Sequence, residues 1–216
     1  MSSQPASTLE IDVFSDVVCP WCFVGSERLE RVLGALGEAQ PVTVTYHPFF
    51  LMPDTPPDGL DIQEYLRKKY RAEPRVLFFA RVEAAAREAG LALDLTRQPR
   101  SYPTVRAHTL LRHALDKGTQ RALVRALFRN YFLEARDISN LDVLGELAVE
   151  HGFSAEEVRR KVLDPEELAL TEREAADAQQ LGIRGVPFFV FNGKFAISGA
   201  QPETVFEDTL RRASGL

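Results

Sequence analysis

The sequence predicts an α/β protein: a mixed four-stranded sheet with an all-helical segment inserted into it. Three observations carry that prediction. Two β-branched, alternating stretches, Leu9 to Val18 and Val42 to Tyr46, flank an amphipathic one that closes at Gly37, which makes a βαβ unit. Residues 62–151 then show helical spacing and no credible strand. Late in the chain, Phe188-Phe189-Val190-Phe191 and Lys194-Phe195-Ala196-Ile197 surround Asn192-Gly193, a strong hairpin signal. The sheet-bearing part is therefore expected to be discontinuous, 1–61 and 152–216, around an inserted helical domain, 62–151.

The elements follow in order. In the first helix Phe23, Leu29, Val32, Leu33 and Leu36 recur at helical spacing, and a right-handed crossover returns the chain to the second strand. A turn-rich stretch, Asp54 to Gly59, leads into the insert. There Glu64–Tyr70, Val76–Glu88, Thr104–Lys117, Gln120–Phe132 and Leu141–His151 read as amphipathic helices, with Gly90, Pro99, Gly118 and Gly152 in the connections. Helices at Ala155–Leu163 and Glu166–Leu181 follow. The last helix starts near Pro202, a residue suited to a first helical position, and runs to Arg212.

The most informative motif is Cys19-Pro20-Trp21-Cys22, which holds the only two cysteines of the chain. It stands where the first strand gives way to the first helix. Unpaired backbone N–H groups and the positive end of the helix dipole there favour an anion. A thiolate is such an anion, and it is the form of cysteine that attacks sulfur. A structural disulfide across two residues closes too short a loop to stabilise much. A zinc site would need two more ligands; His108 and His113 sit five positions apart, which does not place them on one helix face. His47 and His151 read as partly buried or surface polar residues. Asp16 lies three residues before Cys19 and is expected to point elsewhere.

Composition narrows the function classes. Of 216 residues, 45% are hydrophobic and 26% charged, which fits a globular protein with a full core. The net charge of −5, with no basic tail or stripe, argues against nucleic-acid binding. Arg67-Lys68-Lys69 and Arg159-Arg160-Lys161 have acidic residues close by and read as solvated helix faces. Met1 to Thr8 lacks the basic and apolar regions of a secretory signal. No run approaches the roughly 20 apolar residues of a membrane span. The expectation is a cytoplasmic protein with neither membrane nor nucleic-acid partner, where a lone cysteine pair is catalytic rather than structural.

Taken with the element order, four segments carry a resemblance: Phe14-Ser15-Asp16-Val17-Val18-Cys19-Pro20-Trp21-Cys22, Pro48 to Gly59, Gly185-Val186-Pro187-Phe188-Phe189 and Ser198-Gly199-Ala200-Gln201. They are spread over nearly the whole chain. Together they resemble the DsbA family of thiol-disulfide oxidoreductases, a thioredoxin-like fold with a helical insert, and within it the FrnE-type branch. The resemblance implies that Cys19 is an exposed attacking cysteine and Cys22 a buried resolving one. It implies that Val186-Pro187 is a cis-proline loop facing the disulfide, and that Pro20, Trp21, Val186 and Pro187 contact substrate. It also implies no cofactor beyond a redox-active Cys19–Cys22 disulfide, with glutathione as an admissible co-substrate.

The substrates would then be protein or small-molecule disulfides and thiols. Departures matter too. Trp21 stands where strongly oxidising members carry His, and Met52 stands where Asn is expected. The rival reading is a glutathione-dependent isomerase or transferase of the 2-hydroxychromene-2-carboxylate isomerase type. It would use a cleft lined by residues such as Tyr102 and Arg106, although members of that branch generally carry serine at the position of Cys19. A third reading makes the chain a binding module that docks a protein through Pro48 to Pro53.

Overall fold

The architecture comes from a computed structural model, which describes residues 8–37, 40–70 and 74–215. The N-terminal stretch Met1 to Thr8 discussed above lies, up to residue 7, outside the described residues. Four strands, β1 (Leu9–Ser15), β2 (Val42–Pro48), β5 (Phe188–Phe191) and β6 (Phe195–Ser198), form one sheet in the order β2-β1-β5-β6. β1 pairs parallel with β2, and β5 runs antiparallel to both β1 and β6. The mixed sheet is as predicted. β1 stops at Ser15 because the chain turns there to present Cys19 to the first helix; residues 16–18 are not strand.

α1 (Pro20–Leu36) is amphipathic, and Phe23, Leu29, Val32 and Leu33 are buried with Leu9, Ile11 and Val13 of β1. Gly37 ends it at φ 65 and ψ −166, a positive-φ conformation that suits glycine. α9 (Glu203–Ser214) packs on α1 and the β5–β6 hairpin, burying Phe206 edge-on against Phe189 at 4.9 Å between ring centroids. The helical part contains α2 (Ile62–Tyr70), α3 (Pro74–Glu88), α4 (Val105–Asp116), α5 (Gln120–Phe132) and α6 (Leu141–Val149).

The insert is not free of strand. β3 (Leu60–Asp61) and β4 (Arg100–Ser101) make a two-residue antiparallel ladder that closes its base. Pairs this short carry no period for a sequence pattern to reveal. α7 (Ala155–Leu163) packs on α4 and α6, and α8 (Pro165–Gln180) touches both α4 and β2. One continuous core joins sheet and helices. The open edge of β2 is closed by Gln120, whose amide accepts from Tyr46 N–H at 2.8 Å and donates to Tyr46 C=O at 2.9 Å.

Candidate active site

Cys19 is the N-cap of α1. Its backbone is extended, at φ −87 and ψ 114, and Pro20 follows at the first helical position. Its carbonyl accepts from Cys22 N–H at 3.0 Å and Phe23 N–H at 3.2 Å, which starts the helix directly after the cysteine. No acidic residue occupies the first turn, leaving the positive end of the dipole uncompensated there. Both cysteines are free thiols.

Across the fold, the Val186–Pro187 bond is cis, and Cys19 Sγ lies 3.8 Å from the Val186 carbonyl oxygen. Pro187 is buried behind it, against α1. A Cβ added at Gly25 would stand 3.1 Å from both Pro187 Cγ and Phe189 Cζ, so only the missing side chain lets α1 approach this loop. Gly25 is a site residue that sequence reasoning missed. Glycine inside a helix is a cue for close approach, but nothing in the sequence says what approaches.

Cys19 is not exposed, as its counterpart was expected to be; only 3% of it is accessible. Residues of the insert cover it. The sulfur instead borders a cavity of about 240 Å³, walled by Val18, Pro20, Trp21 and Val186 on one side and by α2, α3 and α5 on the other. The mouth carries exposed apolar groups at Leu51 and Phe78. Met52, an oddity in the sequence, lines this cavity. Cys22 is wholly buried, and burial pushes its thiol well above the ordinary value; the neighbouring Cys19 sulfur adds to this.

Asp16 does not point away from the site's framework. Its carbonyl accepts from Cys19 N–H at 3.0 Å, Oδ2 accepts from Leu51 N–H at 2.7 Å, and Oδ1 meets His108 Nε2 at 3.2 Å. A carboxylate oxygen only accepts here, so His108 donates. One buried aspartate thus ties together the cysteine turn, the cavity-lining loop and α4. The spacing of Asp16 and His108 could not reveal this, because their partnership spans 92 positions. Neither Tyr102 nor Arg106 lines the cavity at Cys19. Tyr102 packs over Gly59. Arg106, half-buried on α4, donates to the Ser139 carbonyl at 3.2 Å.

Residues 10–211 match the DSBA-like thioredoxin domain. The chain belongs to that family. A DSBA-like chain of the same overall shape is a probable DsbA oxidoreductase from Streptomyces coelicolor. It is 35% identical with a TM-score of 0.86, and the match covers 96% of this chain and 90% of that one. The uncharacterized protein YwbO of Bacillus subtilis is 27% identical over 206 residues, 94% of this chain and 96% of its own length. The cytosolic disulfide reductase DsbM of Pseudomonas aeruginosa, solved with GSH, shares the fold at 21% identity and TM-score 0.64. That match covers 94% of this chain and 99% of DsbM. Among the described residues of this DSBA-like protein, no helix is long and apolar enough to cross a membrane.

Proposed function

We propose that this DSBA-like protein is a dithiol-disulfide oxidoreductase in which Cys19 attacks and Cys22 resolves. One observation carries the reading. Of two thiols one helical turn apart, only Cys19 borders a cavity, and it does so at a helix N-terminus, while Cys22 is sealed beneath it. Attack by the Cys19 thiolate on a substrate disulfide gives a mixed disulfide, and Cys22 then displaces the substrate thiol. Pro20, Trp21 and the Val186 carbonyl side of the cis-proline loop are the surfaces that meet substrate, with Pro187 holding that loop against α1.

The Cys-Pro-Trp-Cys motif supports placement in the FrnE-type branch, and a paired thiol with no other cysteine supports a cytoplasmic setting. Trp21 in place of an imidazole supports a potential well away from the strong-oxidant end of about −120 mV. The substrates are protein or small-molecule disulfides. The geometry speaks against the isomerase reading, since cysteine occupies position 19 and neither Tyr102 nor Arg106 reaches the cavity.

The test is turnover of a protein disulfide with a dithiol as reductant. The wild type should accelerate reduction, and Cys19→Ser should reduce at the uncatalysed rate. Full activity in Cys19→Ser would overturn the proposal. Equilibration with glutathione redox buffers, read by alkylation and mass, gives the potential.

A further inference from the structure

The dithiol reading, on which this inference rests, is narrowed by the space beside the attacking sulfur. With only 3% of Cys19 accessible, a disulfide meets its sulfur by way of the cavity of about 240 Å³ that it borders. Every element facing that cavity supplies an apolar side chain: Met52 after β2, Ile62 and Leu66 on α2, Phe79 on α3, Leu95 after α3 and Phe132 on α5. None of the described residues lining it is acidic or basic. Two of its polar side chains are engaged with the protein itself. Gln98 donates to the Tyr131 carbonyl at 3.0 Å and accepts from Arg100 N–H at 3.3 Å, and the Tyr131 hydroxyl donates to the Arg100 carbonyl at 3.0 Å.

Size and charge then select the substrate. A cavity of roughly 150 Å³ lined by Leu, Ile and Phe holds benzene. One of about 240 Å³ has room for a ring or a branched alkyl group together with the sulfur that carries it, but not for a polypeptide running on both sides of a cystine. A carboxylate or ammonium group drawn in would lose its water and meet no opposite charge, which is costly. We propose that this cavity is a selecting pocket, and that the preferred substrate is a low-molecular-weight disulfide whose sulfur carries a compact, uncharged apolar group of benzyl or isobutyl size. Glutathione disulfide, with charges on each half, and cystines held in a protein react more slowly.

In the step itself, the Cys19 thiolate attacks the sulfur that bears the apolar group. The bond from Cys19 to that sulfur forms as the substrate S–S bond breaks, and the second sulfur leaves with the electron pair and takes up a proton. Cys22 loses its proton and displaces the apolar thiol from Cys19. The cysteine pair ends oxidised and both substrate halves reduced; an external dithiol returns the pair to its starting state.

The test is turnover by the wild-type protein with a dithiol reductant, each rate divided by the uncatalysed rate for the same disulfide. Benzyl 2-hydroxyethyl disulfide should be accelerated about tenfold or more beyond bis(2-hydroxyethyl) disulfide, the scale for burying a ring-sized apolar group. It should exceed glutathione disulfide and a protein disulfide as well. Leu66→Arg, at a half-buried position of the wall, brings a cation to the cavity. It should shrink the benzyl advantage and raise the acceleration of glutathione disulfide; Leu66→Gln, which should shrink the benzyl advantage, serves if melting shows the arginine variant unfolded. Equal acceleration of the benzyl and hydroxyethyl compounds would overturn the proposal. So would a glutathione or protein disulfide matching the benzyl compound, or wild-type ratios in the folded Leu66 variant. If no disulfide were accelerated at all, the dithiol reading beneath this inference would fail instead, a distinguishable result.

Discussion

Asp16 Oδ1 and His108 Nε2 meet at 3.2 Å with both side chains buried, joining the turn after β1 to α4 in the middle of the insert. The same carboxylate holds Leu51 N–H, and the Asp16 carbonyl holds Cys19 N–H. The position of the attacking cysteine is therefore coupled to a histidine on an element far away in sequence.

Removing that carboxylate leaves the His108 ring N–H and the Leu51 N–H in the interior with nothing to bond. Asp16→Ala should lower stability by about 1–3 kcal/mol, the usual scale for leaving a buried hydrogen-bonding group without a partner. Asp16→Asn keeps an acceptor oxygen and should lose less. Urea unfolding of the two variants against the wild type checks this; equal midpoints for Asp16→Ala and the wild type would contradict it.

Gly25 lets α1 lie on the Val186–Pro187 loop. Gly25→Val places methyl groups where Pro187 Cγ and Phe189 Cζ stand, and overpacking of this kind costs about 1–3 kcal/mol. Since the loop faces Cys19, disulfide turnover should also fall. Thermal unfolding and turnover measured together test it, and a Gly25→Val protein matching the wild type in both would refute the contact.

Much of this was legible from the residues alone. Alternation marked β1, β2 and the β5–β6 hairpin, and the change to helical spacing after Cys19 placed the reactive pair at a helix start. Gln120–Phe132 and Ala155–Leu163 were bounded correctly because glycine and small polar residues punctuate their ends. What stayed hidden depends on partners distant in sequence. His108 offered only a spacing to His113, and Gly25 only a missing side chain. The cover over Cys19 comes from packing α2 and α3 against the sheet domain, which no local pattern encodes.

Stability of the reduced protein should depend on pH in the alkaline range. Burial holds Cys22, Tyr46 and Tyr131 above their ordinary values. In the unfolded chain these groups ionise near about 8.5 for cysteine and 10 for tyrosine. Below those values both states keep the protons and stability is unaffected. Above pH about 8.5 the unfolded chain releases the Cys22 proton first, so stability falls as pH rises, and it falls further once the tyrosines titrate. Denaturant unfolding between about pH 7 and 9.5 should show the decline, and Cys22→Ala should show less of it. An identical slope in that variant would exclude Cys22 as the source.

The division of labour between the two sulfurs is the centre of the account, and trapping tests it most directly. Reduced Cys22→Ser protein is treated with a small aliphatic disulfide, and the product is digested and mapped by mass. The account predicts a single, persistent adduct on Cys19. An adduct that never forms, or an equally rapid adduct on Cys22 in the Cys19→Ser protein, would contradict it.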